Sequence, residues 1–304
     1  MWFNGKLIPW QDIKISPLSH SLHYGSGVFE GERFYQSAPD ETCIFRLQEH
    51  SERLLYSAEA LKMNIPYTAK ELTQATIDTV QSTKLTSGYI RPLAFFGEKM
   101  GLNPAGAPVE VMVAAWAWGK YLADKPLHVK ISKYVRIHPQ STVADAKISG
   151  HYVNSIMASQ EIEGKYDEAL LLDFEGNVAE GPGENIFLVK DGKISTPATN
   201  SGRILKGITR DTIMTLARDM GIEVTERVIS PEELFDADEL FFTGSAAEVG
   251  PIGTLDDKKI GGKNGGVAGE EGPICKKLKD KYFEVVAGKD PKYEHWVTRV
   301  TVEK

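Results

Sequence analysis

Asp145-Ala146-Lys147-Ile148-Ser149-Gly150-His151-Tyr152-Val153-Asn154-Ser155 sets a single lysine among small and polar residues instead of on a solvated helical face. Gly150 allows a tight backbone turn shortly before Tyr152. A lysine so placed is a candidate amine nucleophile, although a lysine taken by itself is far more often a surface charge. Its chemistry therefore depends on what the rest of the chain supplies.

Downstream, Val178-Ala179-Glu180-Gly181-Pro182-Gly183-Glu184-Asn185 ends one apolar run at Glu180 and opens the next at Asn185. Side chains at such strand ends project into clefts, while acids in a Gly-Pro turn are otherwise simply solvated. Gly207-Ile208-Thr209-Arg210-Asp211 precedes a helical stripe of Ile213, Leu216, Ala217 and Met220, closed by Gly221. Thr209 is the expected N-cap, and a helix start after a glycine also suits a phosphate. Residues 239–243 form a strand running into the small-residue turn Gly244-Ser245-Ala246-Ala247-Glu248, whose amides either bind an anion or merely turn the chain.

Upstream, Asn4-Gly5 predicts a hairpin. Residues 20–35 hold Gly25, Gly27 and Gly31 among aromatics, which predicts a backbone passing close to another group; a glycine-rich turn over core aromatics is the plainer alternative. Leu47, Leu54, Leu55, Ala58 and Leu61 predict a helix over 47–63, with Arg53 beside the stripe as a snorkelling side chain or a phosphate fork. A second helix covers 70–83, and strands at 88–96 and 109–118 flank a loop, 97–108, broken by glycine and proline. The two-residue period puts Tyr89 and Arg91 on one face, which is odd for a plain core strand. Beyond residue 126 come a strand (127–133), a helix (152–163), a strand (169–174), a turn at Asp191-Gly192, a glycine-rich loop (261–272) and a closing helix (274–286).

At 304 residues the chain is long enough for two domains, and 41% hydrophobic with 25% charged residues is ordinary globular composition. A net charge of −7 without basic runs argues against a nucleic-acid or anionic-membrane binder. No apolar run approaches the roughly 20 residues that span a bilayer, and the start Met-Trp-Phe-Asn-Gly-Lys lacks a signal-peptide layout. Cys43 and Cys275 form no metal-spaced pair and no H-E-x-x-H occurs, so a cytoplasmic protein without zinc chemistry is expected.

A lysine near a tyrosine, an acid at a strand end, an arginine on a helix and two turns suited to anions are what pyridoxal 5'-phosphate requires. The chain resembles the branched-chain amino acid aminotransferases, class IV pyridoxal phosphate enzymes of fold-type IV. The resemblance covers nearly its whole length. It rests on Leu22-His23-Tyr24-Gly25, Val28-Phe29-Glu30-Gly31, Tyr89-Ile90-Arg91-Pro92, Glu180-Gly181-Pro182-Gly183-Glu184-Asn185, Gly207-Ile208-Thr209-Arg210-Asp211 and Gly244-Ser245-Ala246-Ala247-Glu248, in that order.

The resemblance implies an α/β (α+β) fold of two domains, a small N-terminal α/β domain (1–119) and a larger pseudo-barrel domain (134–304), joined by a connection (120–133), with the cofactor between them. It implies that Lys147 forms the Schiff base, Glu180 pairs with the ring nitrogen and Tyr152 bonds the ring O3′. Arg53, Ile208, Thr209 and Ser245 would hold the phosphate, with Leu205 against the ring. The substrate α-carboxylate would meet Ser245 and Ala246, and Tyr24, Phe29, Tyr89, Arg91, Trp118 and Tyr121 would line the side-chain pocket. Met100, Gly101 and Leu102 would reach a neighbouring subunit's pocket, making a homodimer the minimal unit.

The implied reaction moves the amino group of L-leucine, L-isoleucine or L-valine to 2-oxoglutarate by a ping-pong route. One pocket must then accept an apolar side chain and later a γ-carboxylate, the first served by aromatic walls and the second by Arg91. A D-amino acid transaminase is the nearest rival, but loop 97–108 lacks the Arg-x-His pair expected of that branch. An R-selective amine transaminase, an aminodeoxychorismate lyase and a catalytically silent binder are weaker alternatives. Ser245 stands where threonine is frequent and His151 where asparagine is common, while Arg203 and Lys206 add positive charge before Gly207.

Overall fold

Asn4 and Gly5 adopt φ of 46° and 92° and close a hairpin between Trp2–Phe3 and Lys6–Leu7. Positive φ at both turn positions matches the right-handed twist of the strands, as the Asn-Gly pair predicts. The computed structural model describes residues 1–119, 121–122, 125–200, 202–262 and 266–302. Parts of the expected connection (120, 123, 124), of the glycine-rich loop (263–265) and of the chain end (303–304) lie outside the described residues, as does residue 201.

The chain divides into two units. The first comprises Met1–Gly119, Ala146–His151 and Glu284–Lys304. Its antiparallel sheet runs Val297–Thr301, Glu41–Phe45, Glu32–Ala38, Gly88–Phe96, Val109–Trp116, Trp2–Phe3, Lys6–Leu7, with Gly27–Phe29 also pairing onto Gly88–Phe96. Helices Leu47–Ala60 and Ala69–Thr83 cover a core of Phe34, Ile44, Leu54, Val80, Ile90 and Val111. The second helix starts at a reciprocal cap, in which Thr68 Oγ1 accepts from the Glu71 amide (3.3 Å) and Glu71 from the Thr68 amide (2.7 Å).

The second unit comprises Lys120–Asp145 and Tyr152–Phe283. Its mixed sheet runs Val178–Glu180, Glu168–Leu172, Leu127–Val135, Glu248–Leu255, Glu239–Gly244, Asn185–Lys190, Lys193–Pro197, Val224–Arg227. Leu127–Val135 is parallel to both of its neighbours, and the long connections this demands carry the helix Tyr152–Ile162. Leu127, Leu170, Ile186, Leu240, Phe242 and Ile252 form the core.

The strand expected over 127–133 appears as Leu127–Val135 of the second sheet. Two features depart from expectation. The chain continues past the helix Pro273–Val286 to the strand Val297–Thr301, which pairs with Glu41–Phe45 more than 250 residues away; that partner is invisible to local periodicity. Thr209 is not the N-cap: Gly207 is, and Thr209 lies inside the first turn of the helix Ile208–Asp219.

Glu168 is buried in its strand and accepts from the Ala169 amide (2.8 Å). Burial pushes its carboxyl up to about 7. As pH rises from the ordinary carboxylate range, the unfolded chain releases this proton before the folded one does, so stability falls until pH passes about 7. Glu168→Gln, which keeps the acceptor, is expected to raise stability in denaturant titrations on the order of 2 kcal/mol near pH 8, with little gain near pH 4.5. Equal gains at both values would rule out the buried carboxyl as the source.

Candidate active site

In the first unit, Lys147 sits on a strap laid against the N-terminal glycines. Gly150 donates its amide to the Gly25 carbonyl (3.0 Å), Phe29 donates to the Lys147 carbonyl (3.2 Å), and Ile148 bridges to Val28. Gly25 has φ of 66°, and a Cβ on it would lie 2.8 Å from Gly150 Cα. The group that the glycine-rich segment passes is therefore the lysine strap itself. Buried Ser57 accepts the Lys147 amide on its Oγ (2.9 Å), and Lys147 Nζ stands 5.0 Å from the Phe29 ring centroid.

One turn before Ser57 on the same helix, Arg53 forks buried Glu30 through Nε (2.7 Å) and Nη2 (2.8 Å). Glu30 also accepts from His50 Nδ1 (2.7 Å). Burial would raise the Glu30 carboxyl, but Arg53, followed by His50, holds it far below the usual range. Burial pushes His50 down against the pull of Glu30, with Arg53 and the Lys147 cation adding to the depression. Glu30 therefore stays ionised and His50 stays neutral near pH 7. The sequence weighed Arg53 as a snorkelling side chain or a phosphate fork, and missed this buried acid although Glu30 lay in a noted block. Glu32 is equally buried, with no hydrogen-bond partner for either oxygen among the described residues, and burial and then Glu30 raise its carboxyl well above the usual range. Both effects drive it towards its neutral form.

Arg91 and Tyr89 do share a face: Arg91 Nη2 donates to Tyr89 Oη (3.1 Å) and its Cζ lies 4.7 Å from the Phe29 ring centroid. Tyr89 packs edge-on against Trp118 (4.3 Å) and Trp116 (5.3 Å), the latter absent from the expected wall. A Cβ on Gly31 would collide with the Tyr89 hydroxyl. Arg91 Nε is buried with no hydrogen-bond partner among the described residues. Tyr24 is exposed and packs on His20 (4.6 Å), and Met100, Gly101 and Leu102 are exposed. Tyr121 belongs to the second unit and is exposed.

In the second unit, Glu180 ends the strand Val178–Glu180 and is buried. Its carboxylate accepts from Arg136 Nε (2.5 Å), Asn185 Nδ2 (3.1 Å) and the Leu205 amide (3.1 Å). The Glu180–Gly183 turn is tied to the helix of Tyr152 by Ser155 Oγ donating to the Pro182 carbonyl (2.7 Å). A Cβ on Gly207 would overlap Asn185, so glycine there lets the Ile208–Asp219 helix start beside Glu180's own partner. Thr209 Oγ1 is buried in that first turn with no hydrogen-bond partner among the described residues. Ser245 and Ala246 form the turn between Glu239–Gly244 and Glu248–Leu255. Arg203 is held by Asp173 (2.7 Å) and Glu175 (2.6 Å), and Lys206 lies 3.4 Å from Asp145, so both added charges have acidic neighbours.

These residues fit the expected cofactor. Three donors on a carboxylate with about four acceptor positions leave room for one more N–H. The orphaned Thr209 hydroxyl at a helix start suits a phosphate oxygen. Asn185 was noted as opening a strand towards a cleft but not as the partner of Glu180, and Arg136 escaped the sequence reading, because nothing local marks an arginine at a strand end as an acid's partner.

Glu30→Ala leaves Arg53 buried without its counter-charge and is expected to cost about 3–5 kcal/mol. Glu32→Gln replaces a carboxyl that burial already drives towards its neutral form and should change stability by less than about 1 kcal/mol at pH 7. Urea midpoints for the two variants check the contrast.

Comparison with known proteins gives a consistent picture. The family described as amino-transferase class IV matches residues 27–255. The branched-chain-amino-acid aminotransferase of Pseudomonas aeruginosa is 46% identical over 306 residues, covering 99% of this chain and 97% of the relative. The crystal structure of a branched-chain aminotransferase from Thermoproteus uzoniensis with norvaline superposes with a TM-score of 0.91 at 40% identity, covering 98% of each chain. That of the T.th. branched-chain amino acid aminotransferase complexed with N-(5'-phosphopyridoxyl)-L-glutamate gives 0.91 at 44% identity, covering 98% of this chain and 97% of that one.

Proposed function

This chain belongs to the class IV aminotransferases, and from that membership we propose that it is a pyridoxal 5'-phosphate-dependent branched-chain-amino-acid aminotransferase, moving the amino group of L-leucine, L-isoleucine or L-valine reversibly to 2-oxoglutarate. The observation that carries the substrate assignment is Arg91, whose buried Nε, without a hydrogen-bond partner among the described residues, stands in a wall of Phe29, Tyr89 and Trp118. Aromatic faces receive the branched side chain. The guanidinium receives the γ-carboxylate of glutamate or 2-oxoglutarate, which would otherwise be buried at a cost of several kcal/mol.

Bound pyridoxal phosphate supplies the electron sink that makes the substrate Cα acidic. Lys147 Nζ would be the amine that holds the cofactor aldehyde, and as a free amine it would take up the proton from the substrate Cα. Ser57, by holding the Lys147 amide, fixes where that amine starts. Glu180 would pair with the ring nitrogen, Tyr152 would donate to the ring oxygen, and Leu205 would pack on the ring. Ile208, Thr209 and Ser245 would hold the phosphate, and Arg53, oriented by Glu30, would add its charge. The turn at Ser245 and Ala246 takes the α-carboxylate. Exposed Met100 and Leu102 serve a second copy of the chain, so the working unit is a homodimer. Among the described residues no helix is long and apolar enough to cross a membrane, and the two buried free cysteines suit the cytoplasm.

Leucine added without an acceptor should convert the cofactor's absorption to that of the pyridoxamine form, and Lys147→Ala should abolish the conversion. No spectral change with the parent protein defeats the assignment. Arg91→Ala is expected to slow the 2-oxoglutarate half-reaction about 10- to 100-fold more than the leucine one, in line with roughly 1.5–3 kcal/mol for a hydrogen bond to a charged group. Equal losses in both halves remove its role.

A further inference from the structure

Three donors hold Glu180, and one of them differs in kind. Asn185 Nδ2 and the Leu205 amide are neutral, whereas Arg136 brings a full charge at the shortest distance, Nε to Oε1 at 2.5 Å. Both side chains of this ion pair are largely buried, 12% and 7% exposed. The contact is built by the sheet. The Arg136 amide donates to the Leu172 carbonyl (2.8 Å), carrying the Leu127–Val135 strand one residue further, while Val178–Glu180 pairs on the other edge of Glu168–Leu172, with Glu180 opposite Leu171. One short strand thus sets arginine and acid on its two sides, and Arg136 Nη2 is fixed by the Ala144 carbonyl (3.0 Å).

We propose that Arg136 is a positioning residue that keeps the proton shared between Glu180 and the cofactor ring nitrogen on the nitrogen. The proposal rests on Glu180 being the ring-nitrogen partner. In a buried pair the proton has two homes. On the nitrogen it makes an ion pair, which costs desolvation; on the carboxyl it makes two neutral groups, which does not. Neutral donors alone leave that balance open. A guanidinium bonded to the same carboxylate stabilises its charged form and weakens its hold on the proton. With Arg136 in place the nitrogen stays protonated and the ring remains a strong electron sink; without it the proton crosses to a Glu180 oxygen, and no other bond changes.

The test uses holoenzyme reconstituted with pyridoxal phosphate carrying nitrogen-15 in the ring, whose resonance distinguishes a protonated from an unprotonated nitrogen. The parent enzyme and Arg136→Lys should show the protonated signal near pH 7.5, and Arg136→Met and Arg136→Gln should shift most of the way to the unprotonated one. Glutamine retains a donor for the Ala144 carbonyl and covers the case in which the methionine variant does not fold. A merely structural arginine would lower stability and leave the resonance in place. A protonated signal in the Met or Gln variant, with the signal lost in Glu180→Gln, overturns the proposal and leaves Glu180 as the ring partner. A protonated signal in Glu180→Gln as well removes Glu180 from that role, and the proposal with it. An unprotonated nitrogen in the parent enzyme also overturns it.

Discussion

Beside Lys147 the Gly150 amide donates to the Gly25 carbonyl (3.0 Å), where two chain segments more than a hundred residues apart touch without side chains between them. A Cβ at Gly25 would meet Gly150 Cα at 2.8 Å, so no other residue lets the segments close. From this contact follow the bridge of Ile148 to Val28, the bond from the Phe29 amide to the Lys147 carbonyl, and the position of the lysine beside the Phe29 ring. Ser57 then fastens the strap from the helix side.

Buried carboxylates set the electrostatics of both units, and each is handled differently. Glu30 keeps its charge because Arg53 and His50 outweigh the desolvation that burial imposes. Glu32, two residues further along the chain, has no such partner among the described residues, and burial drives it towards its neutral form. Glu180 is matched donor by donor by an arginine, an asparagine and a backbone amide, an arrangement that leaves one acceptor position open. A residue type in a sequence does not distinguish these cases; the number and charge of its donors does.

Much of the fold was legible. The helix over 47–63 appears as Leu47–Ala60, that over 70–83 as Ala69–Thr83, and that over 152–163 as Tyr152–Ile162, because apolar stripes of helical period need no distant partner to be recognised. The turns at Asn4-Gly5 and Asp191-Gly192 follow from residues that tolerate positive φ. Val224–Arg227 and Val297–Thr301 were not legible: both are short, partly exposed strands defined by neighbours far away in sequence. Thr209 shows a subtler failure. Threonine is a good cap by propensity, but Gly207 is the residue that fits beside Asn185, so the helix starts earlier and the threonine hydroxyl is left buried and unpartnered.

By itself the sequence determined the family and the cofactor chemistry, because these are written in motifs whose order along the chain is sufficient evidence. Only the tertiary structure decided which donors surround each buried charge. Arg53 belongs to Glu30, Arg136 to Glu180, and Arg91 Nε, in an aromatic wall, has no partner among the described residues. The reason is physical: the behaviour of a buried ionisable group is fixed by atoms within about 4–6 Å of it, and those atoms come from segments that only sheet register and strand order bring together.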